Sequence, residues 1–178
     1  MKTPKIVILL LIIPFVTVAQ SSDSLQKKAM EKLNWIVGSW EGITITQMGP
    51  GQSDTIIMNE NIKYSLDSTV IVIEGKGFMR NVNGKKGKLA HDAMAIISYN
   101  NYTQKYRWNS WRVPGAYYQE FEPIIRENGL SWGMQTPQGY MRYNLILDEN
   151  GEWEETGEFS KDNENWFPFL SMHLIRKN

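Results

Sequence analysis

Hydrophobic positions follow two different periods along the chain. Between Leu25 and Ile36 the apolar residues recur at helical spacing, and lysines and glutamates fall between them. This pattern predicts one short helix, with Asp23 or Ser24 at its N-terminal cap. After Gly38 the period changes to two, and glycine, asparagine and proline interrupt the chain roughly every ten residues. This second pattern is typical of consecutive antiparallel strands.

About ten strands are predicted from this alternation. Their approximate bounds are 40–48, 55–66, 68–80, 93–99, 106–113, 117–125, 130–136, 141–147, 153–159 and 166–176. Nearly every connection is short enough for a hairpin, and no segment fits the crossover that parallel strands need. An up-and-down order that closes on itself also removes exposed strand edges. We therefore expect an all-β fold, an up-and-down antiparallel β-barrel of about ten strands with a short N-terminal helix.

The first residues predict a leader that is removed on export. Lys2 and Lys5 precede an apolar run over 6–13, and Thr17 and Ala19 place small residues before a cleavage point. The apolar run is shorter than the roughly 20 residues of a membrane-spanning helix, so no membrane span is expected after cleavage. The protein is therefore expected in the periplasm or outside the cell. The expected organisation is a signal peptide over 1–19, an N-terminal helix over 20–37 and a barrel over 38–178.

Composition narrows the classes of function. The 19 basic residues balance the 19 acidic residues, so no excess positive charge would attract nucleic acid. The chain contains no cysteine, which excludes disulfides, a thiol nucleophile and thiolate zinc sites. The imidazoles are those of His91 and His173. His91 follows a lysine- and glycine-rich loop and is expected in water at a hairpin shoulder, so we expect neither a metal site nor a recognisable catalytic residue.

Several segments resemble those of a known family. Gly38, Ser39 and Trp40 form the Gly-x-Trp sequence that opens the first strand in lipocalins and related calycin barrels. The accompanying segments are 97–100, 105–106, 153–158, Trp166 and 172–176. Together they resemble an exported bacterial family of lipocalin-like, calycin-type β-barrels of unassigned function, with remote similarity to nitrobindin and fatty-acid-binding barrels. These motifs belong to the scaffold, so the resemblance implies no catalytic residue.

The resemblance also implies a structural contact at one end of the barrel. Gly38 would let the chain bend tightly into the first strand, and Trp40 would close that end. Similarity to lipocalins implies that Arg176, on the last strand, lies over the face of the Trp40 indole. Nitrobindin-like proteins hold haem through a histidine of the last strand, and His173 lies on the corresponding strand here. Haem is therefore the one cofactor alternative, and otherwise no cofactor is expected.

Strand alternation predicts which side chains face the interior, and a barrel of this width should enclose a cavity. The inward residues proposed to bind a ligand are Trp108, Arg112, Trp132, Met134, Tyr143 and Glu155. Arg112 and Glu155 are the charged members of this set, and a charge that faces an apolar interior needs a partner. One interpretation is that they pair with each other, as a rim salt bridge. The other is that Arg112 receives the carboxylate of an amphiphilic ligand.

The leading functional hypothesis is a non-enzymatic exported carrier or sensor that binds a small hydrophobic or amphiphilic molecule inside the barrel. One alternative is an enzyme, such as an isomerase, cyclase or hydrolase, that uses clustered charged residues in the barrel. Another is an interaction module whose exposed aromatic residues meet a partner protein. Those aromatic residues are Tyr117, Tyr118, Phe167 and Phe169. The oligomeric state is left open.

Overall fold

The computed structural model describes residues 17–113 and 117–177 of the 178-residue chain. These residues form one α-helix, a turn of 3-10 helix at Asn34–Ile36 and eleven strands. The elements are α1 (Thr17–Glu31), β1 (Gly38–Gly49), β2 (Gln52–Ser65), β3 (Val70–Arg80), β4 (Lys86–Asn100), β5 (Lys105–Val113), β6 (Tyr117–Phe121), β7 (Ile124–Arg126), β8 (Gly129–Thr136), β9 (Gly139–Leu147), β10 (Trp153–Ser160) and β11 (Phe167–Arg176).

All eleven described strands belong to one antiparallel sheet. Its order is β6-β5-β4-β3-β2-β1-β11-β10-β9-β8-β7, so neighbours in sequence are neighbours in the sheet and β1 also pairs with β11. The sheet curls into a half-barrel whose two edges, β6 and β7, are consecutive in the chain. The all-β, up-and-down antiparallel architecture expected from the alternation is confirmed.

One expected strand is in fact two. The alternation predicted a single strand over 117–125, but β6 ends at Phe121 and β7 begins at Ile124. Pro123 lies between them, and proline has no backbone N–H to donate to a neighbouring strand. The sheet therefore has eleven strands in the described residues, and it is interrupted where the chain passes from one edge to the other.

The predicted leader, residues 1–19, lies outside the described residues except for 17–19, which belong to α1. The helix begins at Thr17, ahead of the cap expected at Asp23 or Ser24. Across the described part of the chain, no helix combines the length and the apolar character that a membrane crossing requires.

The C-terminal end of α1 and the 3-10 turn after it close one end of the barrel. Met30, Leu33 and Ile36 are fully buried in the core that the sheet surrounds. Tyrosine hydroxyls from the sheet bind the last carbonyl groups of the helix, which have no partner within it. The Tyr106 hydroxyl donates to the carbonyl oxygen of Ala29 at 2.7 Å, and the Tyr64 hydroxyl donates to the carbonyl oxygen of Met30 at 3.0 Å.

Trp40 is fully buried at this same end, where its indole N–H donates to a carbonyl of the 3-10 turn. The Arg176 guanidinium carbon lies 4.1 Å from the centre of the Trp40 ring, so the stack implied by the family resemblance is present. Arg176 also donates to the carbonyl oxygens of Trp35, at 2.7 Å, and Val37. Gly38 has a φ of +138°, and a Cβ there would collide with the Arg176 guanidinium. Both the backbone and the stack therefore require glycine.

Candidate ligand-binding site

A cavity of about 400 Å³ occupies the part of the barrel away from α1. Every strand except the three-residue β7 contributes side chains to its lining. The lining includes all six residues proposed from alternation: Trp108, Arg112, Trp132, Met134, Tyr143 and Glu155. The structure thus places these six around a single cavity, because the alternation within each strand was assigned to the correct face.

One side of the cavity is a continuous group of aromatic rings, here called the aromatic wall. The ring centres of Trp108 and Trp132 are 4.7 Å apart, and Tyr143 stacks on Trp132 at 4.9 Å with an interplanar angle of 6°. Phe169 meets Tyr143 edge-on at 5.7 Å. A Cβ at Gly157 would lie 3.0 Å from the Phe169 ring and 3.1 Å from the Tyr143 ring. Glycine at this position therefore leaves the space that the two rings occupy.

Two carboxyl groups, here called the carboxyl pair, line the same cavity. Glu60 on β2 and Glu155 on β10 are only 9% and 7% exposed. Glu155 accepts a hydrogen bond from the Trp153 indole N–H at 3.2 Å, whereas Glu60 accepts none from the described residues. Burial raises the pKa of Glu155 to about 7, and burial together with the charge of Glu155 raises the pKa of Glu60 to about 8. The pair therefore retains at least one proton at neutral pH.

Glu60 was not among the residues proposed from the sequence. It is paired with Gly75 on β3, and a Cβ at Gly75 would lie 2.6 Å from both of its carboxyl oxygens. The missing side chain at Gly75 is thus what makes room for the Glu60 carboxyl. The signal was present in the alternation, because Glu60 follows Met58 and precedes Ile62 on the buried face of the strand.

Two further polar groups in the cavity lack partners. The Thr44 hydroxyl and the Trp108 indole N–H are buried, and neither has a hydrogen-bond partner in the described structure. Strand pairing places Thr44 opposite Met172, which in turn lies opposite Glu155. Buried polar groups in proteins are almost always hydrogen-bonded, so unpaired ones that line a cavity mark positions where a ligand atom would bind.

Arg112 and His91 also line the cavity, and Arg112 lies near the end of β5 that is remote from α1. Arg112 is exposed, and among the described residues it forms no ion pair with Glu155, so the expected pairing of these two residues was wrong. The physical reason is their position along the strands: Glu155 lies near Trp153 and the closed end. His91, expected in water, instead lines the cavity, and burial followed by the charge of Arg112 lowers its pKa.

His173 lies on the outer face of the barrel. Its neighbours Met172 and Leu174 are buried, whereas the His173 side chain is half exposed and its Nε2 lies 2.6 Å from a carboxylate oxygen of Glu152. This hydrogen bond raises the pKa of His173. The His173 side chain therefore lies on the outer face of β11, away from the cavity. Within the described residues, no three histidine, aspartate or glutamate side chains form a metal-binding group.

The aromatic residues suggested for a partner surface do not share one face. Tyr118 and Phe167 are exposed, and the Tyr118 hydroxyl donates to Asn109 at 2.7 Å. Phe169 belongs to the aromatic wall inside the barrel. The side chain of Tyr117 lies outside the described part of the structure. These positions therefore do not form the continuous apolar patch that a partner surface usually presents.

Comparison with known proteins identifies the fold. No protein-family model matches the chain, and no curated protein matches its sequence. The crystal structure of Rv2717c from M. tuberculosis has a TM-score of 0.59 at 10% identity, covering 84% of this chain and 98% of that one. The S-type phycobiliprotein lyase CpeS from Guillardia theta has a TM-score of 0.55 at 12% identity, covering 87% and 97%. Both are calycin-like β-barrels, and the chain described here has a calycin-like barrel fold.

Proposed function

We propose that this protein is an exported, non-enzymatic carrier or sensor that binds a small hydrophobic or amphiphilic molecule inside the barrel. The observation that supports this most is the cavity of about 400 Å³ with the aromatic wall on one side. That volume lies within the usual range for small-molecule sites, which are mostly apolar with a few placed polar groups. Export is part of the proposal and is supported by the leader-like sequence over 1–19.

Binding would come mainly from burial of the ligand. Trp108, Trp132, Met134 and Tyr143 present apolar surface, and a ligand that buries about 200 Å² of apolar area would gain roughly 5 kcal/mol before the cost of immobilising it. Arg112 lies at the exposed end, where the guanidinium would meet a polar group on the part of the ligand nearest solvent.

Titration with the uncharged fluorescent probe N-phenylnaphthylamine tests this proposal. The probe should gain fluorescence as it enters the wild-type cavity, and Ala93→Phe, which fills the cavity from β4, should weaken binding at least about tenfold. Ile45→Phe is the matched control, because Ile45 lies on the outer face of β1 and is 39% exposed. Absence of saturable binding to the wild type, or equal binding by both variants, would contradict a ligand site in the cavity.

Catalysis is the second candidate, and the carboxyl pair is the observation that favours it. A protonated and an ionised carboxyl group in one cavity could give and take a proton on a bound molecule. One similar structure is that of a phycobiliprotein lyase, so the fold also serves an enzyme. Mass spectrometry of molecules that copurify with the protein, before and after incubation, tests this candidate. Conversion by the wild type that is lost in Glu155→Gln would support catalysis, and unchanged ligand would support carriage alone.

A further inference from the structure

The charged groups in the cavity are distributed unequally between its two ends. Glu155 accepts a hydrogen bond from Trp153, which packs edge-on against Trp40 at the closed end, and Glu60 lies opposite Trp40 in the sheet. Arg112 is exposed towards the opposite end and is the one arginine or lysine among the described lining residues. Among the described residues, neither Glu60 nor Glu155 forms an ion pair with a lysine or arginine, which is an uncommon arrangement for buried acidic groups.

Stabilisation of the fold does not explain why these two carboxyl groups are buried. A buried carboxyl without a hydrogen-bond donor costs stability, and Glu60 has none among the described residues. An apolar residue in its place would fill the same position without that cost. The Thr44 hydroxyl, 2% exposed and unpartnered in the described structure, lies level with Glu155 across the intervening Met172, and it is an independent sign that a polar ligand atom binds in this cavity.

We propose that the ligand is an amphiphilic amine, bound with its ammonium group at the carboxyl pair and its apolar body against the aromatic wall. This inference rests on the proposed function, because it assigns the charge of the ligand for that same cavity. Glu60 and Glu155 would accept hydrogen bonds from the ammonium group, and the Thr44 hydroxyl would accept a further one. The electron-rich faces of Trp108 and Trp132 favour a cation nearby. An acceptor oxygen on the ligand body would satisfy the unpaired Trp108 N–H.

The alternative ligand is an amphiphilic carboxylate that inserts its acid group. A carboxylate in the interior would face two acidic side chains, and it would be tolerated only while both of these remained protonated. The two ligand classes therefore differ in the direction of their pH dependence. Raising the pH through about 7 to 8 ionises the carboxyl pair, which strengthens binding of an amine and weakens binding of a carboxylate.

Other titratable and charged groups line the cavity with the carboxyl pair. Among the lining residues they are His91 on β4, Arg112 on β5 and Tyr143 on β9. The strands on either side of Glu60 bring Trp40 and Gly75 opposite it, and neither of these titrates. Burial and Arg112 lower the pKa of His91, and any loss of its positive charge as the pH rises would favour a cation in the cavity, so His91 does not reverse the trend.

Three probes that share one aromatic body test the inference: naphthylethylamine, naphthylethanol and naphthylacetate. Isothermal titration at about pH 8 should give a dissociation constant for the amine that is roughly 10- to 100-fold below that of the alcohol, with the carboxylate weakest. Between about pH 6 and pH 8 the affinity for the amine should rise by at least about threefold, whereas the affinity for the alcohol should stay constant.

The double variant Glu60→Gln/Glu155→Gln keeps the shape of both side chains and removes their charge. It should lose the preference for the amine and still bind the alcohol, which also shows that the cavity is folded. Glu154→Gln is the matched control, because Glu154 is on the same strand as Glu155 but its side chain is 46% exposed on the outer face. It should leave all three affinities unchanged.

The outcomes separate the two proposals. If none of the three probes binds, the proposed function fails, and this inference fails with it. If the alcohol or the carboxylate binds as tightly as the amine, the cavity is a ligand site but the amine is not its ligand class. If the double variant retains the preference for the amine, or Glu154→Gln loses it, the carboxyl pair does not recognise the ammonium group.

Discussion

At the scale of single residues, Glu60 shows how a local environment changes the chemistry of a side chain. The carboxyl is surrounded by the cavity lining and lies over the bare backbone of Gly75. Its pKa of about 8 in the folded chain, against 4.5 for an ordinary glutamate, means that folding holds the proton more tightly. The folded state is therefore favoured at low pH, and this contribution is lost as the pH rises from about 4.5 to about 8.

Glu60→Gln should reveal this pH dependence in urea unfolding. Glutamine does not ionise, so the variant should match the wild type near pH 4 and exceed its free energy of unfolding near pH 9 by about 2 to 5 kcal/mol. Glu127→Gln, an exposed position, should leave the pH profile as it is. A wild-type free energy of unfolding that stays level or rises between these two pH values would show that the Glu60 pKa is not raised.

The Arg176 stack should contribute measurably to stability. Arg176→Ala removes the contact with the Trp40 ring and the hydrogen bonds to two carbonyl groups, so the free energy of unfolding should fall by about 1 to 3 kcal/mol. Lys177→Ala is the matched control, since its exposed ion pair with Glu41 is worth less than about 1 kcal/mol. Equal losses in urea denaturation of the two variants would mean that the stack is not stabilising.

The residue positions that could be predicted from the sequence are those fixed by strand alternation. Trp132 and Tyr143, for example, follow the period of two on strands with clear bounds, and they pair directly in the sheet. Glu60 follows the same alternation but was not predicted to face the interior, because a glutamate between apolar residues is usually assigned to the exposed face. The absence of an Arg112–Glu155 pair could not be predicted, because distances across a barrel depend on the register of every strand between the two residues.

At the scale of elements, α1 stabilises the barrel by filling its closed end. Leu33, just after the helix, is completely buried, whereas Leu25 on the helix is 59% exposed. The sequence pattern identified this apolar face correctly. The separation of β6 from β7 was not predicted, although Pro123 is a visible signal in the sequence for a break between strands.

Leu33→Ala should lower the free energy of unfolding by about 2 to 5 kcal/mol, because it removes apolar contacts and leaves a cavity in the core. Leu25→Ala makes the same chemical change at an exposed position and should cost less than about 0.5 kcal/mol. Thermal and urea unfolding of both variants provide the measurement. Equal effects of the two substitutions would mean that α1 does not close the barrel in solution.

At the scale of the whole molecule, the barrel is interrupted along a line between β6 and β8, here called the seam. Gln119 on β6 donates to the Met134 sulfur on β8 at 3.2 Å across it, and Trp108 and Trp132 meet inside it. β7 pairs only with the first residues of β8, Gly129–Ser131. Side chains, rather than backbone hydrogen bonds, therefore hold the two sides of the seam together in the described structure.

Amide hydrogen exchange should be fastest in the strands that border the seam. Each edge strand has a backbone partner on one side only, so peptides covering 117–126 should exchange at least about tenfold faster than peptides covering 56–65 in β2, which is paired on both sides. Hydrogen–deuterium exchange followed by mass spectrometry measures both regions in one experiment. Equal protection would indicate that the barrel closes fully in solution.

Export predicts a defined mature chain. Protein recovered from the periplasm or the culture medium of the producing cell should begin at Gln20, because cleavage is expected after Ala19. Intact-mass measurement and N-terminal sequencing identify the first residue of the mature chain. Full-length chains that start at Met1 and remain inside the cell would contradict export, while leaving the ligand site to be judged on its own tests.

Glu122 and Pro123 join β6 directly to β7, so the two edges of the sheet are covalently linked at one end of the seam. An outward movement of β6 together with β5 would break the Gln119–Met134 hydrogen bond but none of the backbone hydrogen bonds between β5 and β6. A bound ligand could then leave through the seam, while the end of the barrel closed by α1 stays intact. The residence time of the ligand and the melting temperature of the protein would then depend on different contacts. The residence time would depend on the Gln119–Met134 contact across the seam, and the melting temperature on the core around Leu33.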